Sequence, residues 1–257
     1  MTDAKRPGRL STLARSSIGA KIVMATTGVI LVGFLVVHML GNLQIYLGPD
    51  TMNHYAQTLK GTPALLWGVR AVLLVSLVLH VLAAVRLKGL NNAARPQAYA
   101  VPRRYRVTSS AARFMLLSGL VVLAFIVYHL LHFTVGATNP ADFNLHEVLD
   151  VATQTWVRND NEQLIAKLPP ELVRHDVYSM FVRGFQNPLI AGTYIVAQLL
   201  LAMHLSHAVA SMLHTLGLSK GTAERERNIN IGRAIAAVIV LGNLSFPIAV
   251  QAGLVHL

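Results

Sequence analysis

Six of the chain's eleven histidines lie inside apolar runs: His38, His80, His129, His132, His204 and His207. An ionisable side chain at membrane depth is costly, so each is a functional-site hypothesis. Imidazole binds transition metals and haem iron through a ring nitrogen. His129 and His132, and likewise His204 and His207, stand three residues apart, on roughly one helix face. Spacing alone does not choose within either pair. The ordinary role for His132 and His207 is packing, or support of a ligand. His54, His146, His175, His214 and His256 fall in loops or near span ends, where an interfacial histidine needs no special role.

The elements that must position these rings are membrane spans. The 257-residue chain is 54% hydrophobic and 13% charged, against about 25% charged in an ordinary soluble domain. Apolar runs cover 18–45, 63–87, 111–135, 187–216 and 231–254. The first is too long for a signal peptide, whose apolar region has about 7–15 residues. The expected fold is all-α: one integral membrane bundle of five transmembrane helices, residues 1–257 forming a single domain. Glycines such as Gly28, Gly33, Gly41, Gly232 and Gly242 allow close approach of helices or of a flat cofactor. The one long connection, 136–186, invites a small cap, with Asn144–Trp156 and Pro170–Phe181 expected as short amphipathic helices.

The net charge of +11 is placed for topology. Basic residues gather in the amino-terminal tail (Lys5, Arg6, Arg9, Arg15), the 86–113 connection and the 219–230 link. The positive-inside rule then puts the amino terminus in the cytoplasm and the carboxyl terminus outside. A nucleic-acid partner is excluded, because a basic patch needs an exposed face to sit on. Cysteine is absent, which excludes disulfides and iron–sulfur ligation by this chain.

Depth follows from the helical rise. His38 and His129 lie roughly 30 and 27 Å along outward-running spans, in the outer half of the bilayer. His80 and His204 each lie roughly 25 Å along inward-running spans, in the inner half. Two layers of opposed imidazoles suit two b haems, the porphyrins filling the bundle interior. Every Asp and Glu is read in a tail or loop, which argues against a di-iron carboxylate site and against a proton-coupled transporter. Two separated layers do not make a compact zinc cluster. The non-redox alternative is a transporter or scaffold with packing histidines.

Ordered motifs carry a resemblance. They are Gly33-Phe34-Leu35-Val36-Val37-His38-Met39-Leu40-Gly41-Asn42-Leu43, Asn53-His54-Tyr55-Ala56, His80 with Asn92-Ala93-Ala94-Arg95-Pro96-Gln97-Ala98-Tyr99 downstream, Tyr128-His129-Leu130, Asp176-Val177-Tyr178, and His204-Leu205-Ser206-His207 ending at Thr215-Leu216-Gly217. Over nearly its whole length the chain resembles the single-chain, two-haem cytochrome b anchor of succinate dehydrogenases and fumarate reductases.

That resemblance implies axial ligands at His38 and His129 for the outer haem b and at His80 and His204 for the inner one. It implies flavoprotein and iron–sulfur subunits docked on the cytoplasmic face, a lipid bilayer of bacterial or archaeal cytoplasmic type, and a membrane quinone, menaquinone ahead of ubiquinone. A homotrimer of complexes has room on the glycine faces. Succinate oxidation itself would belong to the flavoprotein. The alternative redox assignment is the cytochrome b of a hydrogenase or formate dehydrogenase. The chain departs from some fumarate reductases at Ala202, where those carry a glutamate implicated in proton transfer. Lys21, Arg113, His132 and His207 are candidates for supporting the ligands or meeting haem propionates. Asn42, Gln44, Tyr46, His54 and Tyr55 are candidates for quinone. The basic stretch Arg95–Arg113 would dock the soluble partner or pair with lipid phosphates.

Overall fold

The computed structural model describes residues 16–94, 97, 109–159 and 161–257. The basic amino-terminal tail before Ser16, and Arg95, Arg103, Arg104 and Arg106, lie outside the described residues. The chain is 78% helical. Helix α1 (Ser17–Asn42) tightens into a 3-10 turn at Leu43–Leu47 and is followed by α2 (Pro49–Lys60) and α3 (Pro63–Ala93). A turn at Ser110–Arg113 leads into α4 (Met115–Leu130), which ends in a π-turn, Leu131–Val135. A cap follows, holding β1 (His146–Asp150), β2 (Thr155–Arg158), β3 (Val173–His175) and α5 (Val177–Gln186). Helices α6 (Pro188–Thr215) and α7 (Thr222–Gln251) complete the chain.

Five of these segments are long and apolar enough to cross a membrane: Ser17–Leu47, α3, Met115–Val135, α6 and α7. Their surfaces require an apolar solvent. The most apolar stretches of α3 and α4 are only 11% buried within the protein, and Leu65, Trp67, Leu74, Leu82, Leu117 and Leu120 are more than half exposed. Exposed apolar area on that scale marks a membrane-facing surface. No acid lies within α1, α3, α4 or α6. Glu224 and Glu226, expected in a loop, stand instead in the first turns of α7. The link there is shorter than its polar residues suggest, because Thr222–Asn230 is rich enough in good helix formers to extend the helix.

Packing divides the chain into two compact units: Met1–Phe34, Val69–Leu116 and Met203–Ala236 in one, Leu35–Gly68, Leu117–Ala202 and Ala237–Leu257 in the other. In the first unit α6 and α7 approach closely at Gly232. A methyl group there would stand 2.8 Å from the Ser206 carbonyl oxygen.

The second unit holds an aromatic and aliphatic core in which Ile45, Phe181, Val182, Phe185, Tyr194 and Phe246 are buried together. Its cap is a three-stranded antiparallel sheet in the order β2-β1-β3. This corrects the amphipathic helix expected over 144–156. Glu147 pairs with Arg158 and Leu149 with Trp156, around a turn in which Gln154 takes a positive φ of 55°. β-Branched and aromatic residues at Val148, Thr155, Trp156 and Val157 favour strands, and the pairing satisfies backbone groups that a short, isolated helix would leave open. Of the second expected helix, Pro170–Leu172 is a 3-10 turn and Val173–His175 is strand, with helix resuming only at Val177.

A buried polar network holds the sheet against α2. Asn53, fully buried, donates to Glu147 and Asp176, each at 3.1 Å, and accepts from the Tyr178 backbone N–H at 2.8 Å. Arg174 donates to Glu147 at 2.6 Å and to Asp50 at 2.5 Å, and its guanidinium lies over Trp156.

Candidate functional site

In the second unit, α1 and α4 bring His38 and His129 together. Their rings stand edge to face, centroids 5.7 Å apart. Metal–imidazole bonds are about 2 Å long, so two rings on opposite sides of one iron have centroids roughly 6 Å apart. The observed separation fits a shared iron. His38 Nε2 accepts from the Asn42 amide at 3.2 Å, so this nitrogen carries the lone pair a metal would use. The Asn42 amide would have to yield that nitrogen to a metal.

His132 lies on the π-turn, and its ring is directed elsewhere. It is 2% exposed, stacks on Phe133 with centroids 3.9 Å apart, and has its Nδ1 3.0 Å from the Tyr194 hydroxyl. A Cβ on Gly184 would meet its Nε2 edge at 3.1 Å. His132 is thus packed on both sides, and the imidazole facing His38 is His129.

In the first unit, α3 carries His80, and α6 carries His204 and His207. His80 Nδ1 lies 3.1 Å from Thr27 Oγ1, whose hydroxyl donates to the Val23 carbonyl at 2.8 Å. A threonine hydroxyl has one proton. With that proton on Val23, the oxygen accepts from His80 Nδ1–H, which leaves the His80 Nε2 lone pair open. Gly28 lies against the same ring, an added Cβ meeting His80 Cε1 at 3.7 Å and Met212 Sδ at 3.9 Å. Lys21 and Arg113 are exposed, and Arg113 donates to Ser110 Oγ.

The candidates near the first histidine pair separate. Gln44, His54 and Tyr55 line one open surface depression of about 450 Å³ with Asp50, Thr51 and Thr58. Asn42 is engaged by His38, and the Tyr46 hydroxyl donates to Ser245 at 2.8 Å. Neither lines that depression. Tyr55 packs on Gly41, where a Cβ would stand 2.8 Å from its hydroxyl oxygen.

Thr27 and Tyr194 were missed in the sequence. Their only signal is a polar group at membrane depth, and neither type is rare enough there to stand out. Among the described residues no group of three or more His, Asp or Glu is placed to hold a metal ion.

Comparison with protein-family models, curated proteins and solved structures finds no match for the chain. The class is defined by the fold: a multi-pass, all-α membrane protein with five candidate spans, four of which carry histidines.

Proposed function

We propose that this chain is the haem-binding anchor of a succinate:quinone oxidoreductase. His38 with His129, and His80 with His204, would each hold one b haem. The observation that carries this reading is the opposed His38–His129 pair, centroids 5.7 Å apart, in a segment where an unpaired histidine is costly. When bound, the haems supply one-electron transfer between an iron–sulfur partner on the cytoplasmic face and membrane quinone. The chain's own residues orient the rings. Thr27 fixes the His80 tautomer, and Tyr194 contacts His129 at 3.4 Å. Gln44, His54 and Tyr55 line one open depression, and its amide, imidazole and phenol suit the carbonyl and hydroxyl oxygens of a quinone. Asp50 lines the same depression, its exposed carboxylate paired with Arg174.

The test is a pyridine haemochrome spectrum, dithionite-reduced minus oxidised, on the purified full-length chain. About two b haems per chain are expected from two bis-histidine sites. A folded, haem-supplied sample without haem would return all four histidines to packing. Reduction of the haem by succinate in the purified complex separates this reading from the hydrogenase or formate dehydrogenase cytochrome.

A further inference from the structure

We infer that Tyr194 is a positioning residue that joins His129 and His132 in one hydrogen-bonded chain, and thereby sets how strongly His129 donates to the iron of its haem. The inference rests on the haem reading above.

Tyr194 is 5% exposed. Its hydroxyl lies 3.0 Å from His132 Nδ1 and 3.4 Å from His129 Nδ1. Its ring is fixed by edge-to-face contacts with Phe125 and Phe185, each with centroids 4.9 Å apart. A buried hydroxyl is held to its partners because no water can replace them.

Proton accounting sets the direction of the chain. A tyrosine hydroxyl has one proton to give, so it cannot donate to both imidazoles; one of them must donate to it. An imidazole bound to metal through Nε2 carries its proton on Nδ1. His129 Nδ1–H therefore donates to the Tyr194 oxygen, and the Tyr194 hydroxyl donates to His132 Nδ1. His132 is the fixed end, stacked on Phe133 and confined at Gly184. This gives His132 a defined role as the acceptor that holds the tyrosine proton away from His129.

An acceptor on the distal N–H of a ligating histidine fixes its tautomer and ring orientation and raises its basicity. A more basic ligand favours oxidised over reduced iron. Removing the tyrosine oxygen should then raise the midpoint potential of that haem alone.

The experiment is a spectroelectrochemical titration of the haem-loaded full chain, with low-temperature EPR of the ferric haems. Tyr194→Phe keeps the ring and its packing and removes only the oxygen. The expected result is two haems per chain, one with a raised potential and shifted low-spin g values, the other unchanged. The haem that shifts should be the one lost in His38→Ala. If Tyr194→Phe keeps both haems with both potentials and g values unchanged, the inference is overturned while the haem reading stands. A wild-type chain that binds no haem overturns the haem reading instead. Should Tyr194→Phe lose its haem, His132→Phe, which keeps a stacked ring and removes the acceptor, reads the chain from its other end. A shift confined to the same haem supports the inference, and no shift overturns it.

Discussion

On the haem reading proposed above, His38 and His129, with ring centroids 5.7 Å apart, would together hold one haem, and removing either ring would release it. His38→Ala or His129→Ala should lower haem content from about two to about one per chain, with the His80–His204 haem retained. Loss of the other haem alone would contradict the pairing. Arg174 is the buried cation of the cap, and its removal leaves the buried Glu147 short of a partner. Breaking a buried pair from one side costs about 3–5 kcal/mol. Hydrogen exchange of the β1 and β3 amides should quicken accordingly in Arg174→Ala; unchanged protection would show that the network is not what secures the sheet. His175 sets a pH dependence. Burial first, then the charges of Lys60 and His146, bring its pKa from 6.5 to about 4, against smaller upward effects of the Phe143 carbonyl and Asp176. Its Nδ1 is buried without a partner. Between those values the unfolded chain binds a proton that the folded cap does not. Cap stability should therefore fall as pH drops through about 6.5 and level off below about 4, a span worth up to roughly 3 kcal/mol. Proteolysis of the cap across that pH range, in wild type and His175→Gln, reads the effect; identical profiles would exclude His175 as its source.

The π-turn Leu131–Val135 departs from regular helix two residues after His129. Turns of this kind re-aim side chains within a helix, and here the turn buries His132 beside Phe133 while His129 faces His38. The turn closes at Gly136, whose φ of +77° suits glycine and whose missing Cβ leaves space that the Phe143 ring fills. Gly136→Ala carries the left-handed penalty of about 1–2 kcal/mol plus the displacement of Phe143. Thermal unfolding in detergent should show a clear loss of stability, and an unchanged midpoint would mean that the turn can relax. The cap strands make a further point about elements. Val148, Trp156 and Val157 favour strand, but nothing local to 144–156 decides between a short strand and a short amphipathic helix. Antiparallel pairing of β1 with β2 across its own turn and with β3, more than twenty residues away, decides it.

Across the whole molecule the membrane sets the terms. Helices with 11% to 39% of their most apolar stretches buried owe their stability to the bilayer as much as to each other. Backbone groups in lipid must be satisfied within each helix, which makes the spans legible from composition. Charge placement predicts the amino terminus in the cytoplasm and the cap outside. The cysteine-free sequence allows a direct check. A single cysteine at Thr153, in the exposed cap turn, should react with an impermeant maleimide on intact cells, and one at Lys220 should react only after lysis. The reverse pattern would invert the topology.

By itself the sequence determined the five spans, with boundaries within a few residues except at the end of α3 and the start of α7, and it placed His38 and His129 on spans whose rings meet. These follow from hydropathy and helical rise, which depend on neighbours in sequence. Tertiary structure decided which polar groups meet the rings of His38, His80 and His129, namely Asn42, Thr27 and Tyr194. It also decided that His132 packs beneath Gly184, that Gln44, His54 and Tyr55 share a surface depression while Asn42 and Tyr46 do not line it, and that the cap is a sheet. Each of these depends on contacts between residues far apart in the chain or on the direction of a side chain, and neither is encoded in spacing.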